Sequence, residues 1–189
     1  MLRDIDRILL PHGQIQQRVC ELARQIAADY TPPSIPDGSA ITIIPVLTGA
    51  MVFCADLIRQ LPLRLKISLI AVSSYPGTST HTQGSHILAQ HIDSIRGRHV
   101  LLVDDILDSG GTIRLVRDTL LPHEPASLKT CVLLRKPTPA ARQTPVDYVG
   151  FEIPDEFVVG YGLDYGDYYR NLPDVVTLKR HVIEGSLGR

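Results

Sequence analysis

Residues 100–113 read VLLVDDILDSGGTI, and this stretch decides the predicted fold. Its first four residues are all apolar, which is typical of a strand that is buried on both faces of a parallel sheet. The residues that follow, TIRLVRDTLL (112–121), place apolar side chains on one side of a helix. In an open α/β sheet, ligands bind where a strand ends and the chain enters the next helix. The loop from Asp104 to Thr112 is therefore predicted to bind a ligand.

Strands and helices alternate along the rest of the chain as well. A helix is predicted over residues 12–30, and another over residues 48–61, whose apolar positions at helical spacing are Met51, Cys54, Ala55, Ile58 and Leu61. Further strands are predicted in AITIIPVL (40–47), ISLIAVSSY (67–75), HILAQHI (86–92), KTCVLLRK (129–136) and FVVGYGL (157–163). This alternation predicts an α/β fold with a mostly parallel central sheet flanked by helices.

Length and composition predict one ordinary globular domain. The chain has 189 residues, 44% hydrophobic and 21% charged, with a formal net charge of -1. Binding to nucleic acid or to an anionic membrane is not expected, because it needs a clustered excess of Lys and Arg. The N-terminus has no secretory pattern, and the longest apolar region is too short to span a bilayer. Because Cys20, Cys54 and Cys131 are far apart among apolar residues, reduced thiols and a cytoplasmic protein are predicted.

The small residues of the predicted ligand loop, Ser109, Gly110, Gly111 and Thr112, suit a phosphate. Backbone N–H groups at a helix start can close around an anion, and the two hydroxyls add donors. The loop matches neither G-x-x-x-x-G-K-[ST] nor G-x-G-x-x-G, which argues against a Walker loop and a dinucleotide fingerprint. A different phosphate-containing ligand is therefore expected.

The adjacent carboxylates Asp104 and Asp105 narrow the choice of ligand. They would repel a bare phosphate, but they suit the vicinal hydroxyls of a ribose or a hard cation such as Mg²⁺. A ligand with a phosphate at one end, a diol in the middle and a metal-bound anion beyond it fits the whole loop. The residues thus predict a phosphorylated ribose.

VLLVDDILDSGGT resembles the signature of the type I phosphoribosyltransferases, which bind 5-phosphoribosyl-1-pyrophosphate (PRPP). The resemblance implies one domain over residues 1–189, with a core at roughly 36–150 and a small hood formed by the N-terminal segment and residues 151–189. It also implies a set of residues that bind the ribose and 5′-phosphate of PRPP: Asp104, Asp105, Ile106, Leu107, Ser109, Gly110, Gly111 and Thr112.

Asp108 distinguishes the branches of this family, since the resemblance assigns an aspartate at this position to the enzymes that act on 6-oxopurines. A carboxylate placed there would accept the N7 proton of the purine as N9 attacks the sugar, which is general base catalysis. Asp108 is thus the expected catalytic proton acceptor.

Residues 134–175 are similar to the C-terminal half of the hypoxanthine-guanine branch of the family. The resemblance implies that Lys136 donates to the purine O6, that Phe157 stacks on the base, and that the Val158 backbone reads its edge. It further implies that Asp164 lies at the purine and holds Mg²⁺ together with Asp104 and Asp105, and that Arg170 binds pyrophosphate. Taken singly, each of these residues could instead be structural, such as an exposed lysine, a core phenylalanine or a surface ion pair.

Two further segments correspond to mobile or strained parts of the family. Residues 47–57, LTGAMVFCADL, resemble the pyrophosphate loop, in which a peptide that is often cis presents backbone N–H groups; Thr48 and Gly49 fill those positions. Many relatives have lysine in place of Thr48, so the expected role is that of the backbone. Residues 73–85 match the mobile active-site lid of the family in position, and Ser74 and Tyr75 match the residues at its start.

The resemblance implies an Mg²⁺-dependent purine salvage enzyme that transfers the phosphoribosyl group from PRPP to N9 of hypoxanthine or guanine, releasing pyrophosphate. A xanthine- or guanine-preferring relative is the nearest alternative. A PRPP-sensing regulator without catalysis is an alternative from another class; it predicts a basic face and usually a lost base, whereas this chain is slightly acidic and retains Asp108. A homodimer or homotetramer is expected, with small-molecule substrates and neither a nucleic acid nor a membrane as partner.

Overall fold

The computed structural model describes residues 1–30, 40–73, 86–92 and 94–185. Its strands are β1 (Ile5–Leu10), β2 (Ile41–Leu47), β3 (Leu65–Ile67), β4 (Leu69–Ser73), β5 (His86–His91), β6 (His99–Leu107), β7 (Ser127–Arg135), β8 (Tyr148–Glu152), β9 (Val158–Val159) and β10 (Val175–Leu178). Its α-helices are α1 (His12–Asp29), α2 (Met51–Gln60), α3 (Gly111–Leu120), α4 (Pro139–Gln143) and α5 (Arg180–Gly185). Short 3-10 helices lie at Leu2–Asp4 and Leu121–His123.

A large sheet in the order β5-β4-β2-β6-β7-β8 forms the centre of the described residues, with β3 also paired to β2. All of these pairings are parallel except that of β5, which returns antiparallel to β4. The predicted α/β fold with a mostly parallel central sheet is confirmed. Because β2, β6 and β7 are parallel neighbours, their carboxyl ends meet at one edge of the sheet.

Helices cover both faces of this sheet. On one face, α1 and α2 pack Ile15, Leu22 and Phe53 onto inward side chains of β2, β6 and β7 such as Ile43 and Leu101. On the other face, α3 packs its buried side chains, Ile113, Val116 and Leu120, onto the alternate side chains of the same strands. The strands are apolar at nearly every position because both of their faces are buried.

A second sheet joins the two ends of the chain in the antiparallel order β1-β10-β9. Its buried side chains, Val159, Val176 and Leu178, pack with Leu172 and with Val182 of α5. The residues after β8 therefore leave the central sheet and form a layer beside its carboxyl edge.

Several predicted strand bounds are wrong. The segment ISLIAVSSY is divided, since β3 ends at Ile67 and β4 begins at Leu69, with both strands paired parallel to β2. FVVGYGL forms a strand only at Val158–Val159, since Gly160, Tyr161 and Gly162 then turn the chain with φ of 95°, 51° and 105°. β6 is longer than the apolar run of residues 100–103 and extends to Leu107, so Asp104 and Asp105 are strand residues rather than loop residues.

The helix predicted over residues 48–61 is confirmed as α2, but its buried face differs from the predicted one. Phe53, Cys54 and Leu57 are buried, whereas Met51 is 51% exposed and Ala55 is exposed. The large Phe53 ring occupies the core, and this orientation turns Met51 and Ala55 to the outside. The helix predicted over residues 12–30 is confirmed as α1, with Ile15, Val19, Leu22 and Ile26 buried.

Within the described residues, no helix is both long enough and apolar enough to cross a membrane.

Candidate active site

Asp104 and Asp105 lie at the carboxyl end of β6, held between β2 and β7. Asp104 is 4% exposed, and its Oδ1 accepts a hydrogen bond from the Asp105 N–H (3.0 Å); Asp105 Oδ1 accepts from the Ile106 N–H (2.8 Å). Burial raises the pKa of both carboxyls, and the charge of Asp105 adds to the rise at Asp104. Two desolvated acids side by side favour the binding of hydroxyl donors or of a cation at this edge.

The loop from Ser109 to Thr112 leads directly into α3, as predicted, so these small residues form the start of that helix, where the backbone N–H groups point out of the helix end. Gly110 has φ of 74°, and a Cβ on it would lie 2.0 Å from Thr144 Oγ1. Arg114 ties the loop down, because its guanidinium donates to Ser109 O (3.1 Å) and to Thr144 Oγ1 (3.0 Å). The loop is thereby shaped for an anion at the start of α3.

The loop after β2 lies against the acidic strand end. The Leu47–Thr48 peptide is cis, and Thr48 is exposed. A Cβ on Gly49 would lie 2.0 Å from Asp105 Oδ2, so only glycine fits beside that carboxylate. A Cβ on Gly162 would in turn lie 2.2 Å from Gly49 O, with φ of 105° at Gly162. The loop after β2, Asp105 and the loop of residues 160–170, here called the C-terminal loop, therefore form one close-packed junction.

Arg170 holds the C-terminal loop beside this junction. It donates to Gly162 O (2.9 Å) and forms ion pairs with Asp164 (2.9 Å) and Asp167 (3.0 Å). The Asp167 N–H also donates to Asp164 Oδ2 (2.9 Å), so both carboxylate oxygens of Asp164 are engaged within the protein. Arg170 is close enough to Asp105 for its charge to lower the pKa of that acid, which partly opposes the rise from burial.

Asp108 and Lys136 are in direct contact where β6 and β7 end. Lys136 Nζ donates to Asp108 Oδ2 (2.9 Å), and the Lys136 N–H donates to Leu107 O (3.0 Å). Asp155 makes a second ion pair with the ammonium (3.2 Å). Burial acts to lower the pKa of Lys136, but the hydrogen bonds and charges of Asp108 and Asp155 outweigh it and the pKa is raised. Lys136 is thus a fixed cation.

Phe157 and Val158 lie where the chain leaves the central sheet and begins β9. Phe157 is 46% exposed and contacts the Tyr165 ring edge to face, with centroids 5.5 Å apart, whereas Val158 is buried. A half-exposed aromatic ring held in place by a second ring is a suitable platform for a flat ligand. The alternative of a core phenylalanine is not what the structure has.

The structure brings most of the predicted residues to one edge, with some differences. The side chain of Leu107 is buried in the core beneath α3, and the partly buried side chain of Ile106 packs against the core on the other face of the sheet, so both side chains are engaged in packing. Ser74 and Tyr75 of the predicted lid lie outside the described residues. Among the described residues, no group of three or more His, Cys, Asp or Glu side chains is arranged to hold a metal ion.

Sequence reasoning missed four supporting residues, which are Asp155, Tyr161, Asp56 and Gln16. Asp155 is one of several acids in an exposed loop, and nothing in its spacing points to Lys136. Tyr161 donates to Asp56 on α2 (2.6 Å), and Gln16 of α1 donates to the same carboxylate (2.7 Å). The available signal was the glycine on each side of Tyr161, which indicates a tight turn. These contacts fasten the C-terminal loop to the helix that follows the β2 loop.

Comparison with known proteins agrees with this geometry. The phosphoribosyl transferase domain family matches residues 7–166. The chain is similar to the hypoxanthine-guanine phosphoribosyltransferase of Mycobacterium tuberculosis, with 43% identity over 182 residues, 96% of this chain and 90% of the relative. It is also similar to the hypoxanthine phosphoribosyltransferase of Escherichia coli, with 41% identity over 166 residues, 88% of this chain and 91% of the relative.

Solved structures are similar over nearly the whole chain. A hypoxanthine-guanine phosphoribosyltransferase from Bacillus anthracis superposes with a TM-score of 0.83 at 40% identity, covering 93% of this chain and 100% of the other. The hypoxanthine phosphoribosyltransferase of Trypanosoma cruzi superposes with a TM-score of 0.86 at 37% identity, covering 98% of this chain and 97% of the other.

Proposed function

Because this chain belongs to the phosphoribosyl transferase domain family, we propose that it transfers the 5-phosphoribosyl group of PRPP to N9 of hypoxanthine or guanine. The bond from N9 to ribose C1′ forms, the bond from C1′ to pyrophosphate breaks, and the products are a purine 5′-monophosphate and pyrophosphate. The observation that carries the proposal is the contact of Asp108 with Lys136 beside the anion loop at the start of α3. An acceptor and a donor in contact beside an anion loop support the binding of one flat base next to a phosphate.

The base is recognised by groups that suit a 6-oxopurine. The Lys136 ammonium has only donors and therefore pairs with a carbonyl oxygen at C6, not with an amino group. Asp108 accepts the N7 proton as N9 attacks C1′, which contributes about 10²–10⁴-fold to the rate. Phe157 stacks on the base, and the Val158 backbone and Asp164 lie at its edge. These roles rest on the positions of the side chains and on the family resemblance.

The sugar phosphate of PRPP fits the strand end and the helix start. The N–H groups and hydroxyls of Ser109, Gly110, Gly111 and Thr112 bind the 5′-phosphate. Asp104 and Asp105 accept hydrogen bonds from the ribose hydroxyls, and the backbone at Ile106 and Leu107 completes this part of the site. The buried position and raised pKa of the two acids make a neutral or cationic partner favourable there.

Pyrophosphate is bound by the junction of the β2 loop and the C-terminal loop. The backbone at Thr48 and Gly49 presents N–H groups, and the Arg170 guanidinium supplies positive charge. Arg170 reaches this position through its hydrogen bond to Gly162 O, which packs against Gly49. Ser74 and Tyr75 belong to the proposed lid, which would exclude water from C1′.

Mg²⁺ is the proposed cofactor; the described acids do not form a ready cluster of three metal ligands, so oxygens of PRPP would have to complete the coordination. Asp104, Asp105 and Asp164 offer carboxylate oxygens, the hard ligands that Mg²⁺ prefers. The two adjacent acids of β6 are desolvated, so a divalent cation beside them would relieve their repulsion. When bound, the cation would stabilise the negative charge of the departing pyrophosphate.

The test is pyrophosphate release by the purified protein with PRPP and Mg²⁺, with hypoxanthine, guanine, xanthine and adenine offered one at a time. Turnover on hypoxanthine or guanine with none on adenine is expected. Turnover mainly on xanthine would favour the alternative preference, which the names of the relatives do not support. Binding of PRPP without turnover on any purine would contradict the proposal and favour a sensor.

We also propose a cellular location and an oligomeric state. A cytoplasmic protein fits the three cysteines, which are thiols rather than disulfides, with Cys54 and Cys131 buried. A homodimer or homotetramer fits the exposed apolar side chains of the sheet edge, such as Ile67, Leu69 and Leu88. Sedimentation at micromolar concentration tests the assembly, and a monomer would contradict it.

A further inference from the structure

The Lys136 side chain is only 11% exposed, yet its ammonium faces two carboxylates that come from different parts of the chain. Asp108, after β6, accepts at 2.9 Å, and Asp155, between β8 and β9, lies at 3.2 Å. Among the described residues these are the two charged side chains that form ion pairs with Lys136. An ammonium has three N–H donors, so one donor is left for a ligand carbonyl.

The loop that carries Asp155 is fastened to the end of β7. The Ile153 N–H donates to Arg135 O (3.0 Å), and the Arg135 guanidinium pairs with Glu152. The Glu156 N–H donates to Pro154 O (2.8 Å), which closes a turn around Asp155. The loop continues into Phe157. Asp155 thus connects the lysine at the base oxygen with the aromatic platform beneath the base.

The proposed reaction requires the Lys136 ammonium to have a second carboxylate partner. Asp108 must leave its ion pair with Lys136, at least in part, in order to accept the N7 proton. If Asp108 were the sole counter-ion, this movement would leave a nearly buried cation without an anionic partner, which is costly. With Asp155 in place, the ammonium keeps one carboxylate throughout.

We propose that Asp155 is a positioning residue, which holds the Lys136 ammonium at the purine oxygen and releases Asp108 to act as the base. The inference rests on the proposed function and deepens it, since no role has been given to Asp155. It acts through Lys136 and does not itself touch the base.

The experiment compares Asp155→Asn, Asp155→Glu and the neighbouring Glu156→Gln with the wild type in pH profiles of kcat and kcat/KM for hypoxanthine. Glu156 is the matched control, because its carboxylate pairs with Arg7 of β1 and not with Lys136. Removing the charge of Asp155 disfavours the cation of Lys136, because Asp155 is one of the two carboxylates that raise the pKa of this lysine. The alkaline limb of the profile is therefore expected to move to lower pH by about half a unit, the size expected for a partly exposed ion pair.

In Asp155→Asn, kcat is also expected to fall by about tenfold, a fraction of the 10²–10⁴-fold attributed to the base. Asp155→Glu should restore the position of the alkaline limb, and Glu156→Gln should leave the whole profile unchanged. A loss of kcat in Asp155→Asn with the alkaline limb unmoved would overturn the inference, because a merely structural loop residue would behave in that way. Unaltered kcat and limbs would overturn it as well.

Failure of the proposed function gives a different result. In that case the wild type itself makes no nucleotide, whereas failure of the inference leaves the wild type active and affects only the variant comparison. Binding of inosine monophosphate to each protein, measured by calorimetry against pH, provides a readout of Lys136 that does not depend on turnover. As the pH is raised, the affinity of Asp155→Asn for inosine monophosphate should fall at a lower pH than that of the wild type.

Discussion

The two halves of the candidate site are held in different ways. In the strand-end half, β6 is hydrogen bonded to β2 and β7, and this ladder places Asp104 and Asp105 and leads to Asp108. In the C-terminal half, from Gly160 to Arg170, the backbone takes positive φ at Tyr161 (51°), Asp167 (68°) and Tyr169 (71°). There the loop depends on side-chain contacts, above all those of Arg170.

The difference indicates a division of labour. Where a sheet supplies the geometry, a side chain can be replaced with little effect on the fold, so its loss is seen mainly in the chemistry. Where side chains supply the geometry, one replacement disturbs both the shape of the loop and the ligand that it binds. The following predictions test this division, beginning with the largest expected effect.

Asp108→Asn should lower kcat for hypoxanthine by about 10²–10⁴-fold, because an amide cannot accept the N7 proton. Its melting temperature should change no more than that of a typical surface variant, since the hydrogen bonds of β6 do not depend on this side chain. Steady-state kinetics and thermal unfolding measure both effects. Asp118→Asn, at an exposed position of α3, is the control; an equal loss in that variant would remove the special role of Asp108.

Gly162→Ala should destabilise the protein by about 1–3 kcal/mol, because φ of 105° is strained for alanine. The added Cβ would also lie 2.2 Å from Gly49 O, so the KM for PRPP should rise as the β2 loop shifts. Gly166→Ala is the matched control, with φ of 59° and nothing within 4 Å of the added Cβ. Denaturant unfolding should rank the two variants in this order; equal costs would show that the junction with Gly49 does not matter.

Arg170→Gln should raise the KM for PRPP by roughly tenfold or more, since hydrogen bonds to charged groups contribute about 1.5–3 kcal/mol. The expected change in kcat is smaller. Inhibition by pyrophosphate should weaken in parallel, because the same guanidinium is proposed to bind the leaving group. A variant with normal affinity for pyrophosphate would limit Arg170 to holding Gly162, Asp164 and Asp167.

Asp104→Asn should stabilise the protein at pH 7 by about 0.5–2 kcal/mol while it weakens PRPP binding. The pKa of Asp104 is raised by burial and by Asp105, so the folded state binds the proton more tightly than the unfolded state does. Stability is then lost as pH rises from the ordinary aspartate pKa towards the raised value. The gain from asparagine should therefore be present at neutral pH and nearly absent at pH 3, as measured by urea unfolding at both values. A gain that is independent of pH would contradict this explanation.

Much of the strand-end half could be predicted from the sequence, because its signals are local. The apolar run of β6, the small residues Ser109 to Thr112 and the helical spacing of α3 are contiguous, and a parallel sheet brings strand ends together. The buried face of α2 was predicted wrongly for a physical reason. Periodicity alone allowed several faces, and the packing of the Phe53 ring selected one.

The pairing of the chain ends and the loops after β8 could not be predicted from such local signals. β1 and β10 are distant in sequence, and neither was predicted, because pairing between chain ends leaves no local signal. The contacts of Asp155 with Lys136 and of Tyr161 with Asp56 depend on how loops fold back onto the sheet. Family resemblance named Lys136, Phe157, Asp164 and Arg170, but it did not reveal the partners that hold them.

The most direct test of the division of labour is a paired measurement on Asp108→Asn and Arg170→Gln. Single-turnover kinetics give the rate of nucleotide formation from bound substrates, and equilibrium titration with PRPP and Mg²⁺ gives Kd. We predict that Asp108→Asn lowers the single-turnover rate by about 10²–10⁴-fold at unchanged Kd. Arg170→Gln is predicted to raise Kd with a much smaller effect on the rate. The opposite assignment, with Asp108 needed for PRPP binding and Arg170 for the rate alone, would contradict the account.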